Sequence, residues 1–221
     1  MSVTQNITEL SRRLPGGVRL VAVSKFHPVE AVAEAYAAGQ RVFGESRAQE
    51  LSVKAPALPE DIEWHFIGHL QTNKVRAVVP HVSVIQSIDS ERLLRAVDSE
   101  ALRIGRRVDV LLQVHVAAEE TKFGFTPEEL YAIAPEAAAL QGVRVTGVMG
   151  MASNTDDTAR IAADFRAIRA CFDRLAAGAF AGQSAFATVS MGMSHDWQLA
   201  VECGSNMVRI GSDIFGERQY F

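Results

Sequence analysis

Cysteine is scarce in this chain. Cys171 and Cys203 are the only two among 221 residues, and their wide separation fits neither a zinc site nor a disulfide framework. A protein kept in a reducing, cytoplasmic setting is the expectation. No run approaches the ~18 apolar residues that a membrane span needs. Met1 to Leu14 carries Glu9, Arg12 and Arg13 and has no long apolar core, so it does not read as a signal peptide. Basic charge is not in excess either. Lys and Arg number 22 against 26 Asp and Glu, a formal net charge of −4, which argues against nucleic acid and membrane surfaces as partners. Low-complexity tracts, internal repeats and linkers are missing, so residues 1–221 read as a single domain. What is present is apolar material: 48% of the residues are hydrophobic, enough for a large core.

That material is arranged as an alternation. Candidate strands are Arg19–Ser24, Arg41–Gly44, Glu63–Gly68, Ser83–Ile88, Asp109–Val116, Val143–Met149, Ala185–Ser190 and Met207–Ile210. Several are nearly continuous apolar runs, as in Val108-Asp109-Val110-Leu111-Leu112-Gln113-Val114, the pattern of strands covered on both faces. Helical patterns lie between them. Pro28 stands at a first helical position, with Val29, Val32, Ala33 and Tyr36 on one face and Gly39 as the stop. Ser90 precedes Leu93, Leu94, Val97, Ala101 and Ile104, and Gly105 follows. Thr126 and Glu129 have capping-box spacing. Asn154 to Ala177 is the longest helical pattern, with Asp156 and Asp157 as acidic groups at its start. An extra helix with Ile7, Leu10 and Leu14 aligned precedes the first strand. Eight βα units predict an α/β fold, a single (β/α)8 TIM barrel with an extra N-terminal helix; a doubly wound open sheet is the alternative.

Active sites of such barrels lie at the C-terminal ends of the strands. That rule selects Lys25, Glu45, His69, Lys122, Ser190 to Ser194, and Arg209 to Ser212. Lys25 closes the first strand. Burial lowers the pKa of an amine, and a neutral amine attacks aldehydes. The segments Ser190-Met191-Gly192-Met193-Ser194 and Arg209-Ile210-Gly211-Ser212 follow strands seven and eight, where barrels commonly bind phosphate. Ser194 and Ser212 also fit simple helix caps. A lysine beside a phosphate site points to one ligand, pyridoxal 5′-phosphate, held as an imine. Arg209 is then the candidate partner of the pyridine nitrogen, which an arginine leaves unprotonated. A strand-end salt bridge is the other reading of Arg209.

The pieces Ala22-Val23-Ser24-Lys25, Phe43-Gly44-Glu45-Ser46, Trp64 to Lys74, Glu120-Thr121-Lys122-Phe123-Gly124, Ser190 to Ser194 and Met207 to Gly211 resemble the YggS/PROSC family of pyridoxal-phosphate homeostasis proteins, in order from about residue 7 to residue 218. The resemblance implies a barrel related to the N-terminal domain of alanine racemase. It implies Lys25 as the Schiff-base lysine, Ser194, Gly211 and Ser212 as phosphate ligands, and Arg209 at the pyridine nitrogen. It further implies maintenance of the cellular vitamin B6 pool, with pyridoxal-phosphate-dependent apoenzymes as partners. Three positions depart from the family pattern. Ser46 stands where Asn is usual, His69 where Pro is frequent, and His195 where an acid is frequent.

Other residues carry weaker signals. Trp64 reads as core, and His65 as either a satisfied structural histidine or a catalytic one. Gln71-Thr72-Asn73-Lys74 reads as an exposed helix start or as part of the site mouth. Lys122 is a second basic group near the cofactor or a surface charge. Met191 and Met193 pack beside the ligand, and Cys171 packs within the long helix. A racemase of this barrel type needs a second acid/base group, supplied in alanine racemase by a tyrosine of a further β domain. Tyr36, Tyr131 and Tyr220 are the only tyrosines, and none is an obvious base. The expectation is therefore a monomeric, non-catalytic carrier. A pyridoxal-phosphate-dependent racemase and a cofactor-free Schiff-base aldolase are the alternatives.

Overall fold

Local sequence explains most of the boundaries that frame the fold. The computed structural model describes residues 2–116 and 123–216. Helix α1 (Val3–Arg13) begins at Ser2, whose hydroxyl accepts the Gln5 N–H while the Gln5 side chain accepts the Ser2 N–H. This reciprocal cap satisfies two donors that the first turn would leave unpaired. Ile7 and Leu10 form its buried face, and the Asn6 side-chain amide donates to the Ile214 carbonyl at 2.9 Å.

The alternation then runs β1 (Arg19–Val23), α2 (Val29–Ala37), β2 (Val42–Glu45), α3 (Ala48–Ala57), β3 (Glu63–Phe66), a 3₁₀ turn at Thr72–Lys74, α4 (Val75–Val78) and β4 (Val84–Ile88). It continues with α5 (Glu91–Arg103), β5 (Val108–Val114), α6 (Pro127–Ala139), β6 (Val143–Gly150), α7 (Thr158–Ala177), β7 (Thr188–Ser190), α8 (Trp197–Glu202), β8 (Met207–Ile210) and α9 (Ser212–Phe215). Every strand pairs in parallel with its neighbour, and β8 pairs with β1 through Arg19 with Met207 and Ala22 with Ile210. The sheet is thus a closed eight-stranded barrel, and the open doubly wound alternative is excluded.

Alternation along each strand separates two environments. Leu20, Ala22, Phe43, Trp64, Phe66, Ile85, Val189, Val208 and Ile210 join the large core shared with the helices. Trp64 is buried against Phe43 at 5.8 Å between ring centroids, as core packing requires; burial of side chains this size contributes about 1.5–3 kcal/mol each. Val21, Val42 and Met207 form a second small cluster, and Val84, Leu111 and Met149 a third. Between them the barrel carries buried polar residues, among them His65, Gln86, Ser190 and Arg209.

Several boundaries differ from the sequence reading. Pro28 precedes helix α2 as its N-cap, with ψ 167°, and is not its first helical residue. Strand β5 ends at Val114, two residues early. Helix α7 starts at Thr158, because the Asp157 carboxylate caps the Ala159 and Arg160 N–H groups and ends the irregular stretch before it. Strand β7 starts at Thr188. The residues before it form a turn, which turns Phe186 onto Phe180 and Phe172 at 4.2 and 5.0 Å. The caps at Ser90 and Thr126 form as expected. Among the described residues, no helix is long and apolar enough to cross a membrane.

Candidate functional site

Lys25 lies in the turn after β1, two residues past the strand, where the His27 N–H closes onto the Ser24 carbonyl at 3.1 Å. Phe26 occupies the third position of this turn with φ 65°. That region favours glycine, and a bulky residue there stores about 1–3 kcal/mol of strain. Helix α3 holds the turn in place. The Glu50 carboxylate accepts the Phe26 N–H at 2.8 Å, and the Arg47 guanidinium stacks over the Phe26 ring at 4.3 Å. Lys54, from the same helix, donates to the Ser24 carbonyl at 2.9 Å, to Glu45 at 2.7 Å and to Glu50 at 3.1 Å. Ser24 Oγ donates to the same Glu45 oxygen at 2.7 Å. The other carboxylate oxygen of Glu45 is buried and has no hydrogen-bond partner. Burial pushes the Glu45 pKa above the usual carboxylate range, with Lys54 opposing.

The loops after β7 and β8 face this turn. Gly192 has φ 97°, and a side chain there would meet the Ala200 Cβ at 2.7 Å, so glycine lets the loop hug α8. Gly211 passes so close to β1 that an added Cβ would lie 3.1 Å from the Val23 carbonyl oxygen. Ser194 Oγ accepts the Gly211 N–H at 3.4 Å and joins the two loops. Neither serine is a helix cap: Asp196 precedes α8, and Ser212 is the first residue of α9, after Gly211.

A cavity of about 280 Å³ opens between these loops at the C-terminal mouth of the barrel. Lys25, Ser194, Arg209, Gly211 and Ser212, the five residues that the sequence reading assigned to the cofactor, all line it. Val23, Ile67, Met151 and Met193 provide apolar walls, and Ser46, His27 and His195 further polar groups. No carboxylate is among the described lining residues. Arg209 is 5% exposed and its guanidinium is held by neutral oxygens: the Ser190 carbonyl at 2.8 Å, the Ser190 hydroxyl at 2.7 Å and the Gly150 carbonyl at 3.0 Å. Burial pushes its pKa down to about 10, with Asp196 opposing, so it remains a cation at neutral pH.

Not every selected residue reaches the cavity. Glu45 is enclosed behind Lys54 and Ser24, and Ser190 lies inside the barrel beneath Arg209. His69 pairs with Asp89 at 2.7 Å and stacks on Phe123 at 3.8 Å. Gln71, Asn73 and Lys74 are exposed around the 3₁₀ turn. Lys122, with Glu120 and Thr121, and Tyr220 lie outside the described residues. Lys54, Glu50 and Gln86 went unnoticed in the sequence. The Glu50–Lys54 spacing of i,i+4 and the long polar side chain of Gln86 within the otherwise apolar or small run Val84–Ile88 are the signals that could have found them.

Below Arg209 a line of polar side chains crosses the barrel. Ser190 Oγ donates to Gln86 Oε1 at 2.7 Å, Gln86 Nε2 donates to His65 Nδ1 at 2.7 Å, and His65 Nε2 lies 3.0 Å from Glu63 Oε1. Arg19 pairs with the other oxygen of Glu63. Burial pushes the His65 pKa below 6.5, against the raising influence of Glu63, so the folded protein holds it neutral. The unfolded chain binds a proton near the ordinary value, whereas the folded chain binds it only at lower pH. Stability should therefore fall as pH drops below about 6.5, by at most about 1.4 kcal/mol per pH unit from this group. Urea denaturation of the protein and of His65→Gln between pH 7.5 and 5.5 should show a shallower pH dependence in the variant. Parallel curves would contradict the assignment.

Comparison with known proteins agrees with this fold. The family model for the alanine racemase N-terminal domain matches residues 2–219. The pyridoxal phosphate homeostasis protein of Aquifex aeolicus is 38% identical over 217 residues, covering 98% of this chain and 94% of its own. The human protein of the same name is 39% identical over 230 residues, covering 99% of this chain and 83% of its own. PipY of Synechococcus elongatus, solved with PLP bound, is 39% identical and superposes with a TM-score of 0.90, covering 97% of this chain and 100% of the other. The chain belongs to the alanine racemase N-terminal-domain family and, within it, to the pyridoxal phosphate homeostasis proteins.

Proposed function

We propose that this chain binds pyridoxal 5′-phosphate as a Schiff base on Lys25, and that it holds and releases the cofactor to maintain the intracellular vitamin B6 supply. The observation that carries this reading is the donor set of the mouth cavity: a lysine, a buried arginine and three serines, with apolar walls and no carboxylate among the described lining residues. When bound, the cofactor supplies an aldehyde that an amine can capture and a phosphate dianion that needs hydrogen-bond donors. Lys25 Nζ is the amine. Ser194, Ser212 and the backbone at Gly211 are the phosphate donors. Arg209 would meet the pyridine nitrogen. As a donor with no acceptor capacity, it would leave that nitrogen unprotonated and the ring a weak electron sink.

A holding role is favoured over turnover by the tyrosines. Tyr36 donates to Asp61, and Tyr131 donates to Cys171 between α6 and α7; neither lines the cavity. Racemisation needs acid/base groups on both faces of the substrate, and no tyrosine is among the described lining residues to serve as the second one. In this reading the protein acts as a cytoplasmic monomer and passes its cofactor to pyridoxal-phosphate-dependent apoenzymes.

Adding the cofactor to apoprotein should produce a visible absorbance band, and borohydride should fix one phosphopyridoxyl group to the peptide containing Lys25. A label on another lysine would overturn the tether. Chiral chromatography of amino acids incubated with the loaded protein checks the carrier reading; turnover at an ordinary enzyme rate would overturn it.

A further inference from the structure

The polar line beneath Arg209 has a fixed direction. Its two ends admit no ambiguity, because a guanidinium can only donate and an ionised carboxylate can only accept. Its middle members could each point either way: a hydroxyl donates or accepts, an amide can be flipped, and a neutral imidazole has two tautomers. Arg209 Nη1 donates to Ser190 Oγ, so the serine hydrogen is free to go to Gln86 Oε1. The amide nitrogen of Gln86 then faces His65 Nδ1 at 2.7 Å and Met207 Sδ at 3.3 Å, using both of its hydrogens on acceptors. His65 must carry its proton on Nε2, which faces Glu63 at 3.0 Å. Flipping Gln86 would set its NH2 group against a serine that already accepts from Arg209. It would also turn an imidazole lone pair onto the Glu63 carboxylate.

We propose that Glu63, His65, Gln86 and Ser190 are positioning residues. They form a one-way hydrogen-bond chain that lets a carboxylate at the N-terminal end of the barrel orient the Arg209 guanidinium at the C-terminal mouth and tune it toward the cofactor ring. This rests on the cofactor reading above. Each bond polarises the next, and the interior screens them weakly, so the negative charge of Glu63 makes Ser190 a better acceptor for Arg209. The chain spans β3, β4, β7 and β8, so the two ends of the barrel are coupled by side chains and not by loop contacts.

Two measurements test it. Nitrogen NMR of the imidazoles in the apoprotein should find His65 protonated on Nε2; protonation on Nδ1 would overturn the chain. In the cofactor-loaded protein, Gln86→Leu, which keeps volume and removes the hydrogen bonds to Ser190, His65 and Met207, should raise the dissociation constant about tenfold and shift the absorbance maximum. Glu63→Gln, which removes the terminal charge and with it the Arg19 ion pair but keeps an acceptor oxygen, should shift the maximum in the same direction by a smaller amount. Thr146→Val, a buried change off the chain, should do neither. Unchanged spectra in both chain variants would overturn the tuning. If Gln86→Leu fails to fold, Glu63→Gln at the half-exposed end decides alone. A wild-type protein with no cofactor band would sink the cofactor reading and the tuning together, while the apoprotein tautomer would still decide the chain.

Discussion

Lys25→Ala should abolish the visible absorbance of the cofactor-loaded protein and remove the borohydride-stable adduct. Affinity should fall by at least about 100-fold, close to 2.7 kcal/mol, because only the phosphate and ring contacts of the cavity remain. The fold should survive. Lys25 is half-buried in a turn, and three contacts made by other residues hold that turn: the Phe26 N–H on Glu50, the Arg47 stack, and Lys54 on the Ser24 carbonyl. Truncating an amine at such a position should change stability by no more than about 1 kcal/mol. Circular dichroism and thermal melting of the apoproteins establish the second half of the claim; absorbance titration and mass measurement after reduction establish the first. A variant that retains the adduct would remove Lys25 from the site.

Lys54→Met should be the most destabilising substitution around the site, by about 3–5 kcal/mol. Lys54 is 4% exposed and Glu45 is wholly buried. Glu45 already has one oxygen without a partner, and Lys54 is its only cation within salt-bridge distance among the described residues. Removing the ammonium leaves a buried carboxylate that must protonate or lose its solvation uncompensated. Glu45→Gln together with Lys54→Met should recover most of the loss, because the uncompensated charge goes too. The deficit of the single variant should also shrink on acidification. Its folded-state Glu45 would titrate above the unfolded value, so lowering the pH protonates a group that the fold prefers neutral. Urea denaturation of the single and double variants at pH 7 and pH 5 measures all three. A single variant as stable as the parent would mean that the cluster does not hold the turn.

Much of the barrel was legible because its signals are local. Hydrophobic runs of four to eight residues, Ser90 and Thr126 at caps, and Gly39 and Gly105 after helices depend only on neighbouring residues, and all appear in the structure. The site was legible by a rule of architecture. Once eight strands are counted, their C-terminal ends must meet, and Lys25, Ser194, Arg209, Gly211 and Ser212 come together in one cavity. The misplaced boundaries have a different cause. Thr188 starts β7 late because a turn packs Phe186 onto Phe180 and Phe172, near in sequence but at spacings that follow no strand periodicity.

The sequence by itself determined the alternation of strands and helices, because periodicity and caps are properties of adjacent residues; closure of the sheet then decided for the barrel over the open alternative and brought the strand-end residues to one mouth. Only the tertiary structure decided that Lys25 precedes a strained Phe26, that α3 pins that turn through Glu50 and Lys54, and that Gln86 and His65 lie between Arg209 and Glu63. Those relations join residues far apart in the chain, on strands whose facing side chains are chosen by closure of the sheet. The physical reason is burial: a polar side chain inside the barrel must find partners there, and which partners it finds is set by the register between strands.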